Sequence, residues 1–212
     1  VIVLTSSRAD FGIYRPLLKK MQADDFFNLK IIAFGTHLSR FHGYTLAQIE
    51  AEGFVVYCTV ESLVLGDSAE AIATAMALTT LKFSAIWAKE QQYIDLVICL
   101  GDRYEMFAAV SAAVPFNLPI AHLHGGETTL GAIDNTFRHA ISLMAKYHFP
   151  YSGTSKPSKG RGNAGLAAAG ALCLQLLGAA KGDGNVDNIM DRLEKEAIPQ
   201  MDWTNSPKKW TM

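Results

Sequence analysis

Cysteine, surplus charge and long apolar runs are all scarce in this chain. Its 212 residues hold three cysteines, Cys58, Cys99 and Cys173, far apart and in apolar surroundings. An odd, scattered set suits reduced thiols better than a disulfide framework, and a cytosolic compartment is expected. Nineteen Lys and Arg stand against 20 Asp and Glu, a net charge of -1. With no basic run, the electrostatic footprint of a nucleic-acid or anionic-membrane binder is missing, and neither partner is expected. No apolar stretch is expected to reach the ~20 residues that cross a bilayer, and with "VIVLTSS" read as a strand no basic-then-apolar leader is expected. The G-x-x-x-x-G-K-[ST], H-E-x-x-H and G-x-S-x-G patterns are absent too, which removes the phosphate-loop, zinc-protease and serine-hydrolase readings. Gly160, Gly162 and Gly165 do spell G-x-G-x-x-G, but they follow the loop "TSKPSK". The dinucleotide geometry needs a strand there, so a linker leading into a helix is expected.

What is present is hydrophobicity, 50% of residues, arranged in short runs. "VIVLTS" (1–6), "LKIIAFG" (29–35), "FVVYCTV" (54–60), "DLVICLG" (95–101) and "PIAHLHG" (119–125) read as strands, mostly apolar without alternation and so buried on both faces. Helical patterns lie between them at about 13–22, 44–51, 67–92, 103–114 and 133–146. That order predicts an α/β fold: a Rossmann-like, doubly wound parallel sheet with helices on both sides. After residue 150 the texture changes to a polar, glycine-containing linker and two helical segments near 163–180 and 186–197. Residues 1–150 are therefore expected to be the functional domain, with 151–212 a linker and helical appendage. The Ala/Gly-rich part of the appendage is faintly similar to one repeat of an α/α-toroid.

All six histidines precede the boundary, and polar chemistry gathers where strands end. In an open parallel sheet ligands bind outside the carboxyl ends of the strands. Strand one leads to Ser7, Arg8 and Asp10, strand two to His37 and His42, and strand four to Asp102, Arg103 and Glu105. Strand five leads into "HLHGGETTLGAIDNTFRH", with His122, His124, Glu127, Asp134 and Arg138. Each has a bland alternative. Asp102 suits a helix N-cap. Asp134 and Arg138 suit an i,i+4 ion pair worth ~0.2–0.5 kcal/mol. His37 suits a hydrogen bond within its own loop. His122 and His124 alternate on one strand face and with Glu127 could bind a metal, although one packed imidazole and one in the cleft is the commoner outcome. Arg8 and Arg103, just past apolar strands, suit an anionic ligand. Tyr14, Phe11 and Trp87 read as core.

"TSSRADFGIYRPLLKKM", "FGTHLSRFHGYTLAQIEAEGF", "CLGDRYEMFAAVSAA" and "IAHLHGGETTLGAIDNTFRHAISLMAKYHF" together resemble the N-terminal half of hydrolysing UDP-N-acetylglucosamine 2-epimerases, the branch feeding sialic and legionaminic acid synthesis. The likeness covers residues 1–149. It implies a two-domain fold of the glycosyltransferase-B type, a UDP-sugar held between Rossmann-like halves, no cofactor, frequent dimers, and release of UDP with N-acetylmannosamine or a diacetamido analogue. Elimination of UDP from C1 with loss of the C2 proton gives a glycal, which water then hydrates. The first step needs a carboxylate base and cations on the departing diphosphate; the second needs another acid/base group across the ring.

By that resemblance Asp102, His124, Glu127, Asp134 and Arg138 are the catalytic candidates, with Arg138 orienting a carboxylate. Arg8, Asp10, His37 and Arg103 are the substrate-binding candidates. Some members carry glutamate where this chain has His124; relatives of the diacetylbacillosamine type share "HGGE". The second Rossmann half has no counterpart after "YHF".

Overall fold

A computed structural model describes residues 1–125 and 133–149. Glu127, Cys173, the glycine pattern at 160–165 and both expected C-terminal helices lie outside the described residues.

Six strands, β1 (Ile2–Thr5), β2 (Lys30–Phe34), β3 (Val56–Val60), β4 (Val97–Leu100), β5 (Ile120–Leu123) and β6 (Tyr147–Phe149), form one sheet in the order β3-β2-β1-β4-β5-β6. Every pairing is parallel. This is the doubly wound order, with the winding reversing between β1 and β4. The connecting helices are α1 (Arg8–Gln22), α2 (Leu46–Ala51), α3 (Ala69–Glu90), α4 (Tyr104–Ser111) and α5 (Asp134–Met144).

Burial follows from apolarity on both strand faces. Ile2, Leu4, Ile32, Phe34, Val97 and Ile120 form one cluster with Phe83 and Trp87 of α3, Met106 of α4 and Ile141 of α5. The alternate residues Val3, Ile31, Ala33, Ile98 and Ala121 are buried as well. Trp87 is wholly buried yet satisfied, because its indole N–H donates to the Ala109 carbonyl at 3.1 Å. Phe83 meets Phe34 edge-on at 5.0 Å between centroids.

The strand pattern departs from expectation at both sheet edges. β3 is only half-buried along most of its length, as an edge strand is. It is tied down by Glu90 of α3, which accepts from Tyr57 Oη at 2.7 Å and pairs with Lys30 at 2.9 Å. β6 has no counterpart in the expected strands, being three residues long and mostly exposed.

Helix α1 begins at Arg8, five residues before the expected start near 13. Ser7 caps it, accepting from the Asp10 N–H, and a capped end needs no apolar residue to begin. Helix α3 corrects the reading of apolar runs. Residues Ala69–Tyr93 are long and apolar enough to cross a membrane by length and composition, because Glu70, Lys82, Lys89 and Glu90 are too few to offset the rest. In this sheet α3 is a crossover helix that buries Ala75, Thr79, Phe83, Trp87 and Glu90 on one side.

Candidate active site

Parallel pairing places the carboxyl ends of β1, β4 and β5 side by side, so the segments following them share one edge of the sheet. The β1 turn is self-contained. Asp10 is 5% exposed, and its carboxylate accepts from the Ser6 N–H at 2.9 Å, the Ser6 hydroxyl at 2.7 Å and the Ser7 hydroxyl at 2.9 Å. Asp10 therefore closes the turn and offers little to a ligand. Arg8, one residue past the cap, is exposed and borders a hollow of about 400 Å³ with Arg15, Gln48 and Glu52.

His37 is likewise built into the frame. It is fully buried, with Nε2 2.9 Å from Thr5 Oγ1 and Nδ1 2.8 Å from Thr45 Oγ1. It ties β1 to the segment entering α2, so the loop-bonding alternative describes its geometry. Burial pushes its pKa down, with the nearby Asp10 charge partly opposing.

At β4 the turn is made by Gly101, whose φ of +82° is a left-handed conformation that favours glycine. The N-cap of α4 is Arg103, without a side-chain cap bond, so Asp102 is not the capping carboxylate. Asp102 instead pairs with Arg138 of α5; their side chains are 22% and 9% exposed. In place of the bland alternative, an Asp134–Arg138 pair within one helix, Arg138 meets a carboxylate of another element, in a half-dry setting where charge attraction is strong. Asp134 is the first residue of α5 and is half-buried.

Arg103 also differs from expectation. Its Nη2 and Nε donate to the two oxygens of Glu105 at 2.7 and 3.2 Å, and Glu105 is 1% exposed. Burial works against the guanidinium charge, and Glu105 more than offsets it, holding the Arg103 pKa above its usual value. A fork so engaged is less available to a diphosphate than an unpaired one. Burial and the same carboxylate push the Tyr104 phenol up to about 12.

His122 and His124 do not share a face. Strand β5 stops at Leu123, and His124 turns out of it with a φ of +60° while its N–H donates to the Phe149 carbonyl at 2.8 Å. His124 is half-buried. His122 is wholly buried, 2.7 Å from the Gly101 carbonyl through Nε2 and 3.1 Å from Ser142 Oγ through Nδ1. Neither nitrogen is left for a metal, and no group of three or more candidate metal ligands occurs among the described residues.

Two contributors went unforeseen. Ser142 lies one turn after Arg138, a spacing that places both on one helix face. Gly125 packs on the imidazole: a Cβ there would stand 2.7 Å from His122 Nδ1 and 2.9 Å from Ser142 Oγ. Gly125→Ala is expected to cost about 1–3 kcal/mol through overpacking. Urea unfolding midpoints would register the loss, and an unchanged midpoint would mean the ring does not sit there.

A parallel sheet in this order, with ionisable residues after its central strands, defines a Rossmann-like α/β domain whose ligands bind outside the carboxyl ends. Residues 19–158 match the family described as UDP-N-acetylglucosamine 2-epimerase. The chain belongs to that family. It is 36% identical over 156 residues to the UDP-N,N'-diacetylbacillosamine 2-epimerase (hydrolyzing) of Legionella pneumophila, a match covering 74% of this chain and 41% of that one. With the GDP/UDP-N,N'-diacetylbacillosamine 2-epimerase (hydrolyzing) of Campylobacter jejuni it shares 38% over 149 residues, 70% of this chain and 38% of the relative. The chain thus spans about two-fifths of these relatives' length. The solved UDP-GlcNAc 2-epimerase from Neisseria meningitidis, bound to UDP-GlcNAc, shares the fold at a TM-score of 0.62 and 17% identity, over 94% of this chain and 53% of that one. The sheet is thereby one Rossmann-like half of a glycosyltransferase-B-type architecture.

Proposed function

We propose that the chain is the N-terminal part of a hydrolysing UDP-sugar 2-epimerase, converting UDP-N-acetylglucosamine or a diacetamido analogue, with water, to the 2-epimeric free sugar and UDP. The observation that carries this is the Asp102–Arg138 pair, joining the end of β4 to α5 at the ligand-binding edge. In this reading Asp102 is the base that takes the C2 proton as UDP departs. Arg138 holds it oriented, and Arg8 meets the diphosphate. His124, Glu127 and Asp134 are the acid/base groups for hydrating the glycal and reprotonating C2. Asp10, His37 and Arg103 act indirectly, holding the turns that aim the others. The names of the two curated relatives favour a diacetamido sugar. No cofactor or metal takes part. Residues 1–150 are the domain that handles the sugar, followed in sequence by 151–212. The two free thiols, Cys58 and Cys99, suit the cytosol.

The test is incubation with UDP-N-acetylglucosamine and with UDP-N,N'-diacetylbacillosamine, following UDP and the free sugar by NMR. Release of both products supports the reading. The fractional coverage of the relatives favours a second one, a binding domain without turnover; it predicts a UDP-sugar-induced rise in Tm with no product. Neither turnover nor a Tm shift would defeat both.

A homodimer is part of the proposal. Thr74, Ala77, Leu78, Leu81, Ala85 and Ala88 of α3 are all exposed, Leu81 at 68%. They make an outer face flanked at its middle by the exposed Lys82, with Glu70 near one end and Lys89 near the other. Two copies crossing antiparallel about Leu78 and Leu81 would set Glu70 of each against Lys89 of the other. Light scattering is expected to give a dimer and Leu81→Glu a monomer; equal masses for the two would remove this part.

A further inference from the structure

We infer that His122 is the positioning residue of the site: one imidazole, hydrogen-bonded to the residue before Asp102 and to the residue one turn after Arg138, sets the geometry of their ion pair.

A carbonyl oxygen only accepts, so the 2.7 Å contact with the Gly101 carbonyl puts the proton on His122 Nε2. Nδ1 is then the acceptor, and the Ser142 hydroxyl donates to it over 3.1 Å. For a neutral ring these two contacts allow one tautomer only. Gly101 precedes Asp102 in a left-handed turn, so holding its carbonyl fixes the direction in which the next residue leaves. Ser142 follows Arg138 by four residues, so holding its hydroxyl fixes the rotation of α5 about its axis. Gly125 rests on the same ring and registers the segment after β5 against it. Three elements that supply the proposed chemistry are thus indexed to one wholly buried side chain.

Neutrality matters as much as position. A cationic ring here would repel Arg138 and compete for Asp102. Desolvation pushes the His122 pKa down to about 4, against the opposing pull of the Gly101 carbonyl, so the ring stays uncharged near neutrality. The relevance to catalysis rests on the proposed function; the geometry does not.

The experiment is NMR on the 15N-labelled 212-residue chain. Long-range imidazole spectra between about pH 5.5 and pH 8 are expected to show one histidine with Nε2 protonated, Nδ1 bare and no titration, missing in His122→Gln. The Arg138 Nη signals are expected to be resolved separately in the parent chain, retained in His122→Gln, whose amide can still donate to Gly101, and averaged in His122→Leu. If His122→Leu does not fold, Ser142→Ala serves: the Nδ1 signal shifts and the Arg138 signals broaden. In a chain that turns over, His122→Leu lowers kcat about 100-fold with little change in KM, and His122→Gln recovers most of it. A His122 ring protonated on Nδ1, a ring that titrates near its ordinary pKa, or Arg138 signals indifferent to both substitutions would overturn the inference. Absence of UDP release and of UDP-sugar binding would sink the epimerase reading instead, leaving the tautomer and the Arg138 signals to decide this one.

Discussion

Asp102→Asn is expected to lower turnover about a thousandfold, within the 10²–10⁴ range that a positioned general base contributes. Asparagine keeps the size of the side chain and removes both the proton acceptor and the negative charge. If Asp102 took only a structural part, the amide could still accept from Arg138 and much of the rate would survive. KM should change less than kcat, because the lost interaction is one made with a proton in flight and not with the bound sugar. Stability should fall too. Arg138 is 8% exposed, and removing one partner of a buried ion pair typically costs about 3–5 kcal/mol. Asp102 is the more exposed of the two, so the lower end of that range is expected. UDP release and the urea midpoint, measured on the same variant, separate the two effects. A variant that unfolds earlier but turns over at the parent rate would remove Asp102 from the chemistry.

Acid should weaken the fold before its carboxylates titrate. An ordinary histidine takes up its proton near 6.5, whereas His122, desolvated beneath the β5 turn, refuses it until about 4. Between those values the unfolded chain binds more protons than the folded one. Stability therefore drops as pH falls through that window, and is fully present above 6.5. At 1.36 kcal/mol per pH unit the loss is roughly 3 kcal/mol at most. Burial of His37 lowers its pKa as well and adds in the same direction. Glu90, held below the carboxylate range by Tyr57 and Lys30, and Glu52, held there by Lys19 and Arg15, lose their contributions only at lower pH. Urea unfolding at pH 7 and pH 5 is expected to show the drop in the parent chain and a flatter response in His122→Gln. Equal slopes would mean the ring is charged, or hydrated, in the folded state.

The central sheet was legible because doubly buried strands must be apolar throughout: β1, β4 and β5 fall within the runs that announce them. β6 was not, since three residues of tyrosine, histidine and phenylalanine carry no pattern, and its existence depends on β5 lying beside it. The start of α1 was missed for a local reason, a serine cap followed by an acidic residue whose carboxylate folds back into the turn. At the ligand edge the residues could be named from the sequence but their partners could not. Asp134 is the sequence neighbour of Arg138 on a helix, yet Asp102, 36 positions away, is its partner. Glu105 could have been suspected of reaching Arg103, two residues before it, but only the fold shows that the carboxylate is buried beneath a half-exposed guanidinium. The sequence clue to the His122 network was a glycine three positions past the histidine and a serine one turn past an arginine, patterns too common to stand out until the fold sets them face to face.

The peptide N–H of His124 is fastened to Phe149, the last residue of β6. A single hydrogen bond therefore links the backbone of a proposed proton-transfer residue to the point where the polypeptide leaves the sheet. Displacing the short edge strand would therefore shift the turn from which the His124 imidazole projects.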